Sequence, residues 1–211
     1  MFIRANLWYT IIGYYHTGTF SHFFDNGDSM NDTNNNSLPS GMTRLNTCCF
    51  TGHRSLPDDC TEAIADKLRH AIKLLSVCGF RYFLCGGALG FDMLAEQVIA
   101  KEAEHNDDVK LVLALPCRDQ TGKWLNMESG TESLKEYMRL KALAATVVYV
   151  NDFYSDGCMK ERNQFMVDNS SFCVAYYNGS VRSGAGQTYR MAKKADLKIY
   201  NIYDALGEKH K

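Results

Sequence analysis

Tyr82-Phe83-Leu84-Cys85-Gly86-Gly87-Ala88-Leu89-Gly90-Phe91-Asp92 runs four apolar residues into three glycines and then an acid. A strand that is apolar at every position is covered on both faces, as in a parallel sheet. Glycine after such a strand lets the backbone turn sharply and approach a ligand closely. The amides and dipole at the start of the helix that follows favour an anion.

Two other stretches repeat this arrangement. Thr51-Gly52-His53-Arg54 ends an apolar run at 47–50, and Ser183-Gly184-Ala185-Gly186-Gln187-Thr188 follows another at 172–177. Further strand-like runs occupy 109–115, 146–150 and 198–202. Helical periodicity is found at 61–78, 91–104, 132–144, 159–170 and 187–195. The first helix carries Ile64, Leu68, Ala71, Ile72 and Leu75 on one face, Asp59 and Glu62 at capping-box spacing, and Gly79 as its stop. Strands alternating with helices predict an α/β fold, a Rossmann-like parallel sheet with helices on both faces in a single domain.

Residues 1–41 lack this pattern. An apolar, aromatic stretch at 7–15 is followed by an Asn-, Asp-, Ser- and Gly-rich stretch at 25–40. A single Arg4, a break at Gly13 and the lack of a small-residue cleavage site make a poor secretory signal. The expectation is a disordered or non-native extension over 1–41 and a folded unit over 42–211.

The chain has 211 residues, 45% of them hydrophobic and 22% charged, with a formal net charge of -1. The lack of a basic excess argues against a large nucleic-acid footprint. No apolar run reaches the roughly 20 residues of a membrane helix. Eight cysteines form no C-x-x-C pair, which fits reduced thiols in the cytoplasm, with neither a zinc site nor a disulfide framework.

The candidate ligand-binding residues fall into four groups. Gly52, His53 and Arg54 end the first strand; His53 offers a switchable donor and Arg54 a permanent planar cation. Gly86, Gly87, Gly90 and Asp92 provide amides for an anion and a carboxylate for ribose hydroxyls or a cation. Arg162 and Asn163 lie on a helix on which Met159 and Met166 flank the arginine, an arrangement that favours a guanidinium directed into a cleft. Ser183, Gly184, Gly186 and Thr188 supply hydroxyls and amides for a phosphate cradle. The spacing is neither G-x-G-x-x-G nor a Walker loop. Cys117, after Leu115-Pro116, reads as a structural thiol. Trp124 reads either as a base-stacking residue or as a cover on the core.

In order, Cys49–Arg54, Gly86–Asp92, Ala114–Cys117, Gly157-Cys-Met-x-x-Arg-Asn163, Met166–Asp168 and Tyr177–Gly179 resemble the YpsA-like family of the SLOG superfamily. The resemblance covers about residues 42–203. That superfamily of Rossmann-like proteins includes the DNA-processing Smf proteins and the LOG phosphoribohydrolases. The resemblance implies a pocket for a nucleotide derivative, of the ADP-ribose or dinucleotide type, as ligand and partner. No resident cofactor is identified, and a homo-oligomer is compatible with it.

The alternative activity is N-glycoside hydrolysis of a nucleoside monophosphate, as in the LOG proteins. Met159–Arg162 resembles their Met-x-x-Arg helix. Their second loop carries a Glu, whereas residues 189–191 here are Tyr-Arg-Met; Glu161 and Asp92 are the substitutes within reach of the motifs. A DNA-associated role of the Smf type is the third reading, disfavoured by the near-neutral charge.

Overall fold

The computed structural model describes residues 38–122, 124 and 130–207. Six strands form one sheet: β1 (Thr47–Gly52), β2 (Tyr82–Cys85), β3 (Lys110–Leu115), β4 (Thr146–Tyr149), β5 (Phe172–Tyr176) and β6 (Lys198–Asn201). Their order is β4-β3-β2-β1-β5-β6, and every pairing is parallel. Between them run α1 (Thr61–Val77), α2 (Phe91–Ala103), α3 (Gly130–Leu143), α4 (Cys158–Asp168) and α5 (Gly184–Lys194), with a short α6 (Ile202–Ala205) after β6. The expected α/β fold, a Rossmann-like parallel sheet covered on both faces, is the observed one.

The period of two along each strand divides the core into two layers. Phe50, Phe83, Leu113 and Val174 face a layer built with Ile64 and Leu68 of α1, Ile99 of α2 and Leu140 of α3. Cys49, Leu84, Ala114 and Ala175 face the other side, where Met166 and Val167 of α4 and Ala192 of α5 pack. Small residues on that face leave room for two helices to lie close to the sheet. Strands are added outward from β1 to β4, and the chain then crosses back through α4 to place β5 on the other side of β1. Right-handed crossovers in opposite directions put their helices on opposite faces. The reversal between β1 and β5 is a topological switch point, where the strand ends open a crevice.

Local differences from the sequence reading have identifiable causes. Asp59 and Glu62 do not form a capping box. A 3-10 turn at Asp58–Cys60 runs directly into α1, so Asp59 lies within a helical turn rather than at an extended cap. Glu62 instead pairs with Arg69 at 2.6 Å. α5 begins at Gly184 rather than at 187, because the Ser183 hydroxyl accepts a hydrogen bond from the Gly186 amide at 3.0 Å and caps the helix. β6 stops at Asn201, and Ile202 opens α6.

The expectations for residues 1–37 lie outside the described residues. Residues 38–41 do make contact with the sheet. The Ser40 carbonyl accepts from the Tyr82 hydroxyl at 2.9 Å, and the Gly41 carbonyl from Asn46 Nδ2 at 2.9 Å. None of the eight cysteines is in a disulfide, and six of them are buried. Burial, followed by the neighbouring Asp119, pushes the Cys117 thiol up to about 11, so it is not a ready nucleophile.

Candidate functional site

β1 delivers the first loop. The Gly52 backbone lies so close to the Phe91 ring that a Cβ would overlap it. The Phe91 amide in turn donates to the His53 carbonyl at 3.0 Å, joining the β1 loop to the start of α2. His53 Nε2 accepts from the Asn178 amide at 3.1 Å, which requires that nitrogen to be unprotonated. Burial lowers the His53 pKa below its ordinary value. His53 therefore ties two loops together, whereas Arg54 is exposed and lines a cavity.

The β2 loop is held more tightly. Gly87 has φ +63°, and a side chain there would meet Leu115. Its amide donates to Glu96 Oε1 at 3.0 Å, and its carbonyl accepts from Gln120 Nε2. Gly90 has φ +78° and packs against the Arg54 carbonyl, with no space for a Cβ. Asp92 and Glu96 sit four residues apart on α2 and are 7% and 1% exposed, depths at which acids are rarely found without partners. Burial pushes the Asp92 carboxyl up to about 6, opposed by the Arg162 guanidinium and by hydrogen bonds from the Gly86 and Ala88 amides. Burial, reinforced by the charge of Asp92, drives Glu96 well above the carboxylate range.

α4 crosses over these acids. Arg162, 7% exposed, donates through Nη1 to the Gly86 carbonyl and lies 3.8 Å from Asp92 Oδ2. A side chain at Gly86 would occupy the position of this guanidinium. Glycine is needed here by the arginine that approaches it.

Above this cluster is a cavity of about 510 Å³. Arg54, Ala88, Leu89 and Arg162 form one part of its wall. Gln120 and Trp124 from the β3 loop, Tyr154 from the β4 loop and Met159 from α4 form another. Trp124 is 8% exposed, packed edge-on to Tyr137 with ring centroids 5.3 Å apart. One side of that tryptophan thus seals the core while the residue also lines the cavity.

Of the candidate residues, Arg54 and Arg162 line this cavity, while Gly86, Gly87, Gly90 and Asp92 lie directly behind its wall. Gly52 and His53 brace the loop beside it, and Asn163 is buried on α4. Ser183, Gly184, Gly186 and Thr188 lie apart from its lining, at the start of α5. The Thr188 hydroxyl donates into its own helix, to Gly184 O at 3.2 Å, and Gly186 leaves room for the Ser180 carbonyl. Glu161 is exposed and accepts from Asn151 Nδ2 at 2.9 Å, away from the cavity lining. Glu96 and Gln120 were missed in the sequence. Glu96 carried a usable signal, an acid one turn after Asp92 on a helix face shared with Ala95 and Ile99.

Among the described residues no cluster of His, Cys, Asp or Glu could hold a metal, and no helix is long and apolar enough to cross a membrane.

Three comparisons with known proteins bear on this arrangement. The sequence is 28% identical over 147 residues to the uncharacterized SPbeta prophage-derived protein YoqJ of Bacillus subtilis (strain 168), covering 64% of this chain and 82% of YoqJ. The fold superposes on DNA processing protein A from Helicobacter pylori, described for its single-stranded DNA binding mode, with a TM-score of 0.51 at 19% identity. That match takes in 74% of this chain but spans only 64% of the H. pylori chain, and at such identity it speaks for the fold. None of these matches supports the expectation against nucleic acid, which rests on net charge alone. The model of the YpsA family, described as the YspA SLOG family, matches residues 48–205. With the matched stretch spanning β1 to α6, the chain belongs to this SLOG family.

Proposed function

We propose that the protein binds a nucleotide-derived small molecule, of the ADP-ribose or dinucleotide type, in the cavity above the strand ends. The carrying observation is the composition of a single wall system. Arg54 and Arg162 meet an anion, and Trp124, Tyr154 and Met159 offer flat or apolar surface for a base. The volume of about 510 Å³ fits a ligand of that size. The test is calorimetric titration with ADP-ribose and with a dinucleotide, together with mass spectrometry of whatever leaves the purified protein on denaturation. Micromolar binding that weakens about tenfold or more in Arg54→Ala supports the reading. Wild-type affinity in that variant removes it.

The hydrolase alternative draws support from Asp92, whose carboxyl titrates at about 6 beside Arg162, within the range of a general acid. Release of free base from nucleoside monophosphates by wild type but not by Asp92→Asn separates catalysis from binding. The DNA-associated alternative takes its support from the H. pylori neighbour's single-stranded DNA binding. A gel shift with single-stranded DNA at low and physiological salt tests it.

A further inference from the structure

Arg162 does not reach the cavity as an unopposed cation. Asp92 Oδ2 stands 3.8 Å from its Nη1, and Glu96 lies one helical turn beyond Asp92 on α2. All three residues are more than nine-tenths buried. Water screens such a cluster poorly, so any negative charge brought to Arg162 also faces Asp92. Arg162 Nε is buried without a hydrogen-bond partner, so the guanidinium keeps an unused donor while its charge is already balanced.

The remaining charges nearby are few. Arg54 and Asp119 stand at the cavity wall with opposite signs. Cys85, at the end of β2, is a thiol held neutral by burial and by the two acids, and Glu136 of α3 sets its charge against Glu96. With Glu96 neutral and Asp92 ionised, Arg54, Asp119, Arg162 and Asp92 sum to no net charge. Such a site can orient a phosphate by hydrogen bonds but offers little to offset a doubly charged one.

From this arrangement we infer that Asp92, set against Arg162 and backed by Glu96, determines which phosphates the cavity accepts: diesters and pyrophosphate diesters, with one charge per phosphorus, not terminal monoesters or triphosphates. This rests on the proposed nucleotide-derivative reading and narrows it. It also disfavours the nucleoside monophosphates that the hydrolase alternative requires. A phosphodiester brings one charge per phosphorus, which Arg54 and the Arg162 donors can share while Asp92 remains in place. A terminal monoester brings close to two at neutral pH and binds only if Asp92 takes up a proton. Asp92 therefore acts as a specificity-determining residue from behind the wall.

The experiment titrates wild type, Asp92→Asn and Glu104→Gln with ADP-ribose, AMP, ATP and inorganic phosphate at pH 5.5 and 8.0. Thermal melts and circular dichroism verify that each variant is folded. Expected for wild type is at least a tenfold preference for ADP-ribose over AMP and ATP at pH 8.0, with AMP gaining at pH 5.5. Asp92→Asn should lose most of that preference and its pH dependence, chiefly by tighter binding of AMP and inorganic phosphate. Glu104→Gln, which removes an exposed acid at the far end of α2, should retain the wild-type preference and serves as the folded control. An unchanged preference in Asp92→Asn overturns the inference and leaves the nucleotide reading standing. If wild type binds none of the four while Asp92→Asn binds inorganic phosphate, the nucleotide reading falls and the role of Asp92 stands. If neither protein binds any of them, both fall.

Discussion

His53 Nε2 and the main-chain amide of Asn178 meet at 3.1 Å, joining the loops that leave β1 and β5 at the point where strand order reverses. This bond exists only while His53 is neutral at Nε2. Because burial lowers the His53 pKa, the unfolded chain takes up a proton at a higher pH than the folded one. The stabilisation is therefore present above the ordinary histidine value and is lost as pH falls through it. Urea unfolding of wild type and His53→Phe between pH 7.5 and 5.0 should show an acid-side loss in wild type that the variant lacks. Parallel curves would mean that the bond carries no linkage.

Asp92 contributes with the opposite sign. Its carboxyl is raised from 3.8 to about 6, so the folded state holds the proton more tightly. The corresponding stability is complete below pH 3.8 and is lost as pH rises through about 6. A shift of this size corresponds to roughly 3 kcal/mol. Asp92→Asn should reduce the stability difference between pH 4 and pH 8 by up to that amount, as read from denaturant midpoints at each pH.

Arg162→Met should cost about 3–5 kcal/mol at pH 8, because Asp92 is left buried and charged without its partner. At pH 5 the cost should be smaller, since Asp92 can then accept a proton instead. Equal costs at the two pH values would show that the guanidinium contributes packing rather than charge.

The glycines separate in a way their sequence context does not reveal. Gly90 combines φ +78° with direct contact to the Arg54 carbonyl, so Gly90→Ala should destabilise by about 3 kcal/mol or more. Gly184 has nothing within 4 Å of a Cβ position and lies in the first turn of α5. Gly184→Ala should be neutral or stabilising by up to about 1 kcal/mol. Chemical unfolding of the two variants checks the contrast.

At the N-terminal boundary, Tyr82 donates to the Ser40 carbonyl at 2.9 Å. Starting the chain at Met42 removes that acceptor, so it should be about 1 kcal/mol less stable than one starting at Leu38. Tyr82→Phe should cost a similar amount in the longer chain and almost nothing in the shorter. This double-mutant comparison isolates the bond from other effects of truncation.

The runs 82–85, 111–115 and 172–177 could be read as buried strands because every residue in them is apolar, and a parallel sheet buries both faces. Gly87 and Gly90 could be read as turn glycines because their neighbours are a strand and a helix start. Gly86 and Gly186 looked the same in sequence, yet one is kept small by a guanidinium from α4 and the other by the Ser180 carbonyl. Arg162 between two methionines announced an arginine turned inward. The identity of its partner was not announced, because Asp92 lies 70 residues earlier and is brought close only when α4 crosses the sheet.

Local patterning by itself determined the layered α/β fold, the parallel sheet and the positions of the glycine turns, since periodicity and turn chemistry act over a few residues. Tertiary structure alone decided which turns share a cavity, because the crossover after β4 carries α4 over the β2 loop and leaves the start of α5 to one side. It also decided the charge of the site. Whether Asp92 and Glu96 hold protons depends on burial and on Arg162, and both arise only when distant segments exclude water together.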